Sequence, residues 1–179
     1  MSKNFIHPTA LIHPSVKMGD GNFIGAYAII EENVELGNDN YIGPHCIIGD
    51  IGESIAFFDS EKKGVIIGNK NRFTKQVTID SGTEKPTRIY NDTLWLKNAH
   101  CGHDCTVFDD VQVRCNAILG GHVVVHEHAR VFLSAIVHPR LEIFKNCKIG
   151  MGSVVTKKTE IVENGIYVGN PAKLLRIES

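Results

Sequence analysis

The sequence lacks any long apolar stretch, and no segment approaches the roughly 20 residues that a membrane-spanning helix needs. It also lacks an excess of charge of either sign, since 19 Lys and Arg residues stand against 20 Asp and Glu residues. This balance argues against a nucleic-acid partner and against a polybasic membrane anchor. The first ten residues, MSKNFIHPTA, contain no apolar run of the kind found in secretory signals. We therefore expect a globular protein with no membrane span and no nucleic-acid partner.

The sequence also lacks an even number of cysteines with which to form a full set of disulfides, since it contains five. An odd number argues against a secreted disulfide framework and favours the reducing cytoplasm. With 179 residues, of which 42% are hydrophobic, the chain is long enough for one domain with a substantial core. It is too short for two domains of ordinary size.

Large hydrophobic residues, most of them aliphatic, recur at every sixth position. They occupy eight consecutive hexads from Ile6 to Ile48, three at Ile67, Phe73 and Ile79, and twelve from Ile89 to Val155. A period of six fits neither an amphipathic helix nor a coiled coil, but it fits a short strand and a turn repeated many times. A sandwich of conventional strands would show turn signals at about 8 to 12 residues and no fixed phase. The period therefore predicts an all-β solenoid of stacked repeats.

This repeat resembles that of the hexapeptide-repeat proteins, which implies a left-handed parallel β-helix with triangular coils of 18 residues. On this basis residues 1–160 form the β-helix domain, with loop insertions near 54–66 and 85–88 where the phase breaks. The first insertion contains Phe57 and Phe58, which suggests either a surface excursion or a loop that folds over a ligand cleft. The tail, 161–179, loses the phase, and we expect it to form a short helical cap over the open sheet edges.

Coils of 18 residues place several polar residues together at one corner, because positions 18 apart stack about 4.8 Å apart. His103 stacks with Gly121 and Asp104 with His122, while His138 falls in the adjacent column, after Gly102 and Gly120. A neutral imidazole with a pKa near 6.5 can take a proton from an amine or hydroxyl, and a neighbouring carboxylate can fix its tautomer. The glycine leaves room for substrate and lets its N–H reach a developing oxyanion. The columns thus predict a general base beside an oxyanion site.

A metal site is the alternative, since His100, Cys101, His103 and Cys105 lie within six residues of one another. The hexad phase turns both cysteines into the core and His103 outward, so these residues do not converge on one ion. Outside this segment, His126 falls in a column of aromatic residues and is expected to stack with them. We therefore expect no metal site.

The segment 98–107, NAHCGHDCTV, is followed by LGGHVVV from Leu119 and AIVHP from Ala135. Together these resemble the UDP-N-acetylglucosamine acyltransferases of lipid A synthesis and the related acyltransferases that act on nucleotide-linked amino sugars. The resemblance implies that His103 is the general base, that Asp104 supports it, and that Gly121 supplies the oxyanion N–H. It also implies that three histidines contact the substrate: His100, His122 and His138.

The chain departs from the lipid A enzymes in three ways. It lacks their helical C-terminal domain, it has Pro139 where they have a glutamine, and it carries the segment GNPAK at 169–173. That segment resembles the C-terminal signature of acetyl-CoA-dependent hexapeptide acetyltransferases, where the region lies near CoA. We therefore expect acetyl-CoA or another short acyl-CoA, with Lys173 and Arg176 against its phosphates, rather than a long-chain acyl carrier protein.

The sequence thus predicts an acyltransferase that moves an acyl group, most readily acetyl, from a thioester to an amine or hydroxyl of a nucleotide-linked sugar. No permanently bound cofactor is expected, and the resemblance implies a homotrimer. Three other functions stay open: the long-chain O-acyltransferase of lipid A synthesis, a metal hydratase of the γ-carbonic anhydrase type, and a non-catalytic trimeric scaffold. The hydratase family holds zinc with histidines of which two are five residues apart, and no pair in this sequence has that spacing.

Overall fold

The computed structural model describes residues 3–53 and 61–178, and these residues form strands and turns without a helix. The strands assemble into three sheets of ten, eight and seven strands, here called sheets I, II and III. Sheet I contains β1 (Phe5–Ile6), β4 (Phe23–Ile24), β7 (Tyr41–Ile42), β10 (Arg72–Phe73), β13 (Leu94–Trp95), β16 (Gln112–Val113), β19 (Arg130–Val131), β22 (Lys148–Ile149), β24 (Gly165–Val168) and β25 (Lys173–Ile177). Sheet II contains β2 (Leu11–Ile12), β5 (Ile29–Ile30), β8 (Ile47–Asp50), β11 (Thr78–Asp80), β14 (His100–Cys101), β17 (Ile118–Leu119), β20 (Ile136–Val137) and β23 (Val154–Val155). Sheet III contains β3 (Lys17–Met18), β6 (Val34–Leu36), β9 (Val65–Ile67), β12 (Thr87–Ile89), β15 (Thr106–Val107), β18 (Val124–Val125) and β21 (Glu142–Ile143).

From β1 to β22, neighbouring strands of each sheet pair in parallel, almost always with the strand three elements further along, so the predicted parallel β-solenoid is confirmed. The usual register offset is 18 residues, as in the pairing of Leu94 with Gln112. The offset rises to 31 between Leu36 and Ile67 and to 22 between Ile67 and Ile89. These offsets exceed a coil by the lengths of the two interruptions in the hexad phase. The left-handed sense of the coil stays a prediction.

The core follows the hexad phase. All predicted large inward residues from Ile24 to Val155 are buried, whereas Ile6, Ile12 and Met18 in the first coil are partly exposed because only one neighbouring coil covers them. Among the inward positions is Trp95, whose indole N–H donates to the Thr93 hydroxyl. Each coil thus covers the core residues of the next along almost the whole solenoid. This stacking stabilises strands that are only two residues long.

A ladder of polar side chains also runs inside the solenoid. The Asn22 side chain accepts from the backbone N–H of Asn40, the Asn40 side chain from that of Asn71, and the Asn71 side chain from that of Thr93. Because each buried amide is paired with the adjacent coil, the ladder fixes the register without leaving buried polar groups unsatisfied.

The predicted C-terminal helix is wrong. Residues 165–168 continue sheet I as β24, and residues 173–177 turn back as β25, which pairs antiparallel with β24. The physical reason is that β24 would otherwise present an open edge, and an extended segment satisfies its N–H and C=O groups whereas a helix would not. Tyr167, on β24, is fully buried.

Two further expectations concern the chain beyond the core. The residues Phe57 and Phe58, considered above for a loop over a cleft, lie outside the described residues. Within the part of the chain that the structure describes, no helix is long and apolar enough to cross a membrane.

Candidate active site

The predicted cluster lies at the corner where sheet II passes into sheet III, in the turn between β14 and β15. Asp104 occupies the left-handed backbone region there, with φ of 61°, and His122 and Arg140 have the same conformation one and two coils away. The backbone N–H of His122 donates to the carbonyl of His103, at 2.8 Å, and that of Arg140 to the carbonyl of Gly121, at 2.9 Å. The stacking of these residues is therefore as the 18-residue coil predicted.

Asp104 is completely buried and accepts five hydrogen bonds. Its Oδ2 accepts from the Thr83 hydroxyl at 2.7 Å, the Thr83 N–H at 3.1 Å and Nδ1 of His103 at 2.6 Å. Its Oδ1 accepts from the N–H groups of Glu84 and Lys85 at 2.9 and 2.8 Å. Burial raises the pKa of this carboxyl, but the hydrogen bonds, led by that of Lys85, outweigh it and hold the pKa well below its usual range. Asp104 is therefore an ionised acceptor.

His103 is oriented by this carboxylate. Because an ionised Asp104 can only accept, the neutral imidazole carries its proton on Nδ1 and presents the lone pair of Nε2. Nε2 faces Gly121 so closely that a Cβ on that glycine would lie 2.6 Å from it. The space in front of the basic nitrogen thus exists only because residue 121 has no side chain. A base with a fixed tautomer and an open approach is what proton abstraction requires.

Gly121 itself lines the cavity beside His103, and its N–H is a candidate oxyanion donor. It donates to no acceptor within 3–53 and 61–178, and a Cβ on Gly102 would lie 2.8 Å from its nitrogen. Two glycines therefore keep this donor accessible. An accessible backbone N–H beside a base is suited to stabilise a developing oxyanion.

His122 packs edge-on against His103, with ring centroids 5.1 Å apart and an interplanar angle of 84°. Its Nε2 is buried, lies 3.8 Å from Oδ2 of Asp104 and has no hydrogen-bond partner among the described residues. Burial lowers the pKa of His122, so its neutral form is favoured beside His103. His122 is thus part of the same cluster.

Ligand atoms of His103, Asp104 and His122 lie within 4.8 Å of one another, a spacing that could suit a metal ion. The donor set does not fit one, because the oxygens of Asp104 already accept from five N–H or O–H groups and Nδ1 of His103 is one of those donors. A metal at this point would have to displace those hydrogen bonds. Cys101 and Cys105 are fully buried in the core, as the hexad phase predicted.

His100 and His138 lie on either side of the cluster. His100 forms a hydrogen bond between Nδ1 and the Thr78 hydroxyl at 2.8 Å and lines a cavity of about 710 Å³ together with His103 and Gly121. His138 forms a hydrogen bond with the carbonyl of Pro139 and lines a second cavity of about 590 Å³. Pro139 lines the first cavity, so the two cavities adjoin at this pair of residues.

The second cavity has a mostly apolar wall with three lysines among its lining residues, and it is called the basic cavity below. Lys157, Lys158 and Lys173 line it with His138, so Lys173 lies where an anionic donor group could bind. Arg176 does not line this cavity; its guanidinium lies 3.8 Å from a carboxylate oxygen of Glu178. Lys157 and Lys158 were not predicted as site residues, although they follow Pro139 and Arg140 by one 18-residue coil.

Other residues that the sequence singled out lie away from the cluster. His126 stacks between Phe108 and Phe144, with ring centroids 5.2 and 5.9 Å away, as its column predicted. Thr83 was missed because it contacts Asp104 from a segment next to the second interruption, where the hexad phase that positions other residues is lost.

Residues 15–50 match the family model described as bacterial transferase hexapeptide (six repeats). Among solved structures, the UDP-N-acetylglucosamine acyltransferase from Campylobacter jejuni is 29% identical, with 96% of this chain and 74% of that one covered and a TM-score of 0.79. The enzyme of that kind from Moraxella catarrhalis is 28% identical over 96% and 74% of the two chains, with a TM-score of 0.76. That from Acinetobacter baumannii is 25% identical over 99% and 73%, with a TM-score of 0.81.

In its repeats and its fold, the chain is thus similar to acyltransferases built from hexapeptide repeats. Within this class, the chain is similar to UDP-N-acetylglucosamine acyltransferases, so the resemblance predicted from its motifs is confirmed.

Proposed function

We propose that this protein transfers an acyl group from a thioester to an amine or hydroxyl of a nucleotide-linked sugar, with His103 as general base. The observation that carries the proposal is the position of His103 between two partners. Nδ1 is held by ionised Asp104 at 2.6 Å, and Nε2 faces the space left by the missing side chain of Gly121. The cavity beside Nε2, at about 710 Å³, is large enough for a sugar.

The reaction needs no covalent enzyme intermediate. Nε2 of His103 takes a proton from the acceptor as its nitrogen or oxygen attacks the thioester carbonyl carbon. The N–H of Gly121 stabilises the oxyanion of the tetrahedral intermediate, while Asp104 stabilises the imidazolium. The intermediate collapses with cleavage of the C–S bond, and His103 returns its proton to the leaving thiolate. No metal or permanently bound cofactor takes part.

Of the other histidines predicted to contact substrate, His100 and His138 keep that role in this proposal, whereas His122 lines neither cavity. His100 lies on the wall of the cavity that holds the acceptor, and His122 supports the cluster from beneath the base. His138 lies at the junction of the two cavities, where the acyl group of the donor would pass toward His103.

The donor that we propose is acetyl-CoA or another short acyl-CoA rather than an acyl carrier protein. The support is the basic cavity next to the active site, where Lys173 and two further lysines can form charge-assisted hydrogen bonds with phosphates. Arg176 is outside this cavity, so the role expected for it passes to Lys157 and Lys158.

We also propose that the protein acts as a homotrimer in the cytoplasm. Both cavities open on the outer surface of the solenoid, and an adjacent copy would enclose them. The free cysteines, four of them buried, are compatible with a reducing compartment. Light scattering should give a mass close to three times 19.8 kDa.

The decisive experiment compares His103→Ala with the wild type for acyl transfer from acetyl-CoA to nucleotide sugars, with thiol release as the readout. Loss of a general base lowers turnover by about 10²- to 10⁴-fold. His128→Ala is the matched control, because His128 is exposed and lies at another corner, bonded to Asp110. If the wild type shows no transfer with any thioester, the protein is a scaffold. A clear preference for a 3-hydroxyacyl carrier protein would instead place it with the lipid A enzymes.

A further inference from the structure

One wall of the cavity beside His103 is acidic. Asp50, Glu53 and Asp80 line it together with His100 and His103, and no Lys or Arg is among the described residues that line it. The register of sheet II places Asp80 next to Asp50 on the neighbouring coil. Such a wall attracts a cation and repels a phosphate.

Asp80 is the central residue of this wall. Its side chain is 7% exposed, and Oδ2 is buried without a hydrogen-bond partner among the described residues. The nearest basic atom, Nε2 of His100, is 3.8 Å away, which is too far for a hydrogen bond. A buried carboxylate oxygen costs free energy unless it is paired, so an oxygen left in this state at a cavity wall indicates a partner that arrives with the ligand.

The other groups around Asp80 do not supply that partner. Thr78, on the same strand, bonds to Nδ1 of His100. Asp50 and Glu53 carry the same sign of charge as Asp80. Burial, with a smaller contribution from these two carboxylates, raises the pKa of Asp80 to about 7, although a backbone hydrogen bond from Glu53 acts in the opposite direction. A ligand cation would relieve this repulsion, whereas a neutral hydroxyl would leave it in place.

We propose that Asp80, supported by Asp50 and Glu53, binds the ammonium group of an amino-sugar acceptor, so that the protein forms amides rather than esters. This inference rests on the proposed function and narrows its acceptor to an amine. The bound ammonium releases one proton to the Asp80 carboxylate and from there to solvent. The neutral amine then attacks the thioester, His103 takes its second proton, a C–N bond forms, the C–S bond breaks and the thiolate leaves as thiol.

The proposal also limits where the nucleotide can bind. The diphosphate of the acceptor cannot lie against three carboxylates, so it must extend away from this wall, and only the sugar carrying the amine enters. Oδ2 of Asp80 is thus the atom that distinguishes an amine from a hydroxyl, because it gains a charge-assisted hydrogen bond with an ammonium.

The test uses matched pairs of uridine- and thymidine-diphosphate hexoses that differ only in one hydroxyl or amine, at carbon 2, 3 or 4. Transfer from acetyl-CoA is followed by mass spectrometry, and binding without donor by calorimetry. We expect at least one amine to exceed its hydroxyl partner about 10- to 100-fold in kcat/KM and in affinity, the range for a hydrogen bond to a charged group. Asp80→Asn, which keeps the shape, should remove most of that preference. Asp20→Asn, at an exposed carboxylate between β3 and β4, should keep that preference.

The outcomes separate this inference from the proposed function. Transfer to a hydroxyl at least as fast as to the matched amine overturns the ammonium site and leaves the acyltransferase in place. If no acceptor is acylated, the proposed function is overturned. Even then, the ammonium site would be supported if the amine binds more tightly than the matched hydroxyl compound and Asp80→Asn loses this difference. Equal binding of the amine and the matched hydroxyl compound by the wild type overturns the ammonium site.

Discussion

Nδ1 of His103 donates to Oδ2 of Asp104 over 2.6 Å, although the two residues are adjacent in the chain. The left-handed backbone conformation of Asp104 occurs at the turn between two strands, and the segment from Thr83 to Lys85 closes over the carboxylate from the preceding coil. The pair is therefore built by two coils, and the imidazole of His103 cannot rotate without losing a buried hydrogen bond.

Asp104→Asn should lower kcat by about 10²- to 10⁴-fold with a smaller change in KM. An asparagine amide can donate to Nδ1 of His103, which moves the imidazole proton to Nε2 and removes the base. The pH–rate profile is the measurement that matters, because a merely structural role would lower the amount of folded enzyme without changing the shape of the profile. Activity within a few-fold of the wild type would contradict the tautomer assignment.

The same carboxylate gives a pH dependence of stability. Burial raises the pKa of Asp104 in the folded state, but hydrogen bonds from Lys85, His103, Thr83 and Glu84 outweigh it, so the folded pKa is lowered. A lowered folded pKa contributes stability above the unfolded value of about 3.9, and this stability is lost as the pH falls below it toward the folded pKa. The difference in unfolding free energy between the wild type and Asp104→Asn should therefore shrink on acidification, as chemical denaturation between about pH 6 and 2 can show.

Gly121→Ala should abolish most of the activity while the chain stays folded. A Cβ at this position would lie 2.6 Å from Nε2 of His103, so the imidazole must shift or the approach to it closes. A misplacement of about 1 Å can cost about 10²-fold in rate. Gly150→Ala is the matched control, because its Cβ would meet Val168 at 2.9 Å in a part of the chain remote from the cluster. Equal loss in both variants would show that general strain, and not the space before His103, is responsible.

The hexad phase predicts the fold because each inward position is set by local sequence, and the 18-residue coil turns that phase into columns such as His103 with Gly121. It cannot predict contacts made by residues near an interruption, where the phase is lost, and this is why Thr83 was missed. The tail was predicted as a helix because its pattern has no hexads, whereas the open edge of β24 selects an extended partner. Asp80 sits next to a predicted inward position, and only its unpaired oxygen in three dimensions distinguishes it.

Asp80→Asn should stabilise the protein near neutral pH. Burial raises the folded pKa of Asp80 to about 7, and the charges of Glu53 and Asp50 add to this. A raised folded pKa means that the folded state binds the proton more tightly, so the wild type loses stability as the pH rises from the unfolded value of about 3.9 toward 7. The loss is roughly 4 kcal/mol at most, since each tenfold difference in proton affinity between the two states corresponds to about 1.4 kcal/mol. The melting temperatures of the two proteins should diverge between about pH 4 and 7; parallel curves would contradict the raised pKa.

Lys173→Ala should raise KM for acetyl-CoA while leaving kcat nearly unchanged. Lys173 lines the basic cavity with Lys157 and Lys158, so removing it weakens the attraction for donor phosphates in ground and transition states alike. A charge-assisted hydrogen bond is worth about 1.5 to 3 kcal/mol, which corresponds to an increase of roughly ten-fold or more. Arg176→Ala is the control, because Arg176 lies near Glu178 and outside this cavity. The increase for Lys173→Ala should also fall at high salt, where the wild type itself binds the donor less tightly. A larger effect from Arg176→Ala than from Lys173→Ala would place the donor phosphates on the outer face of sheet I instead.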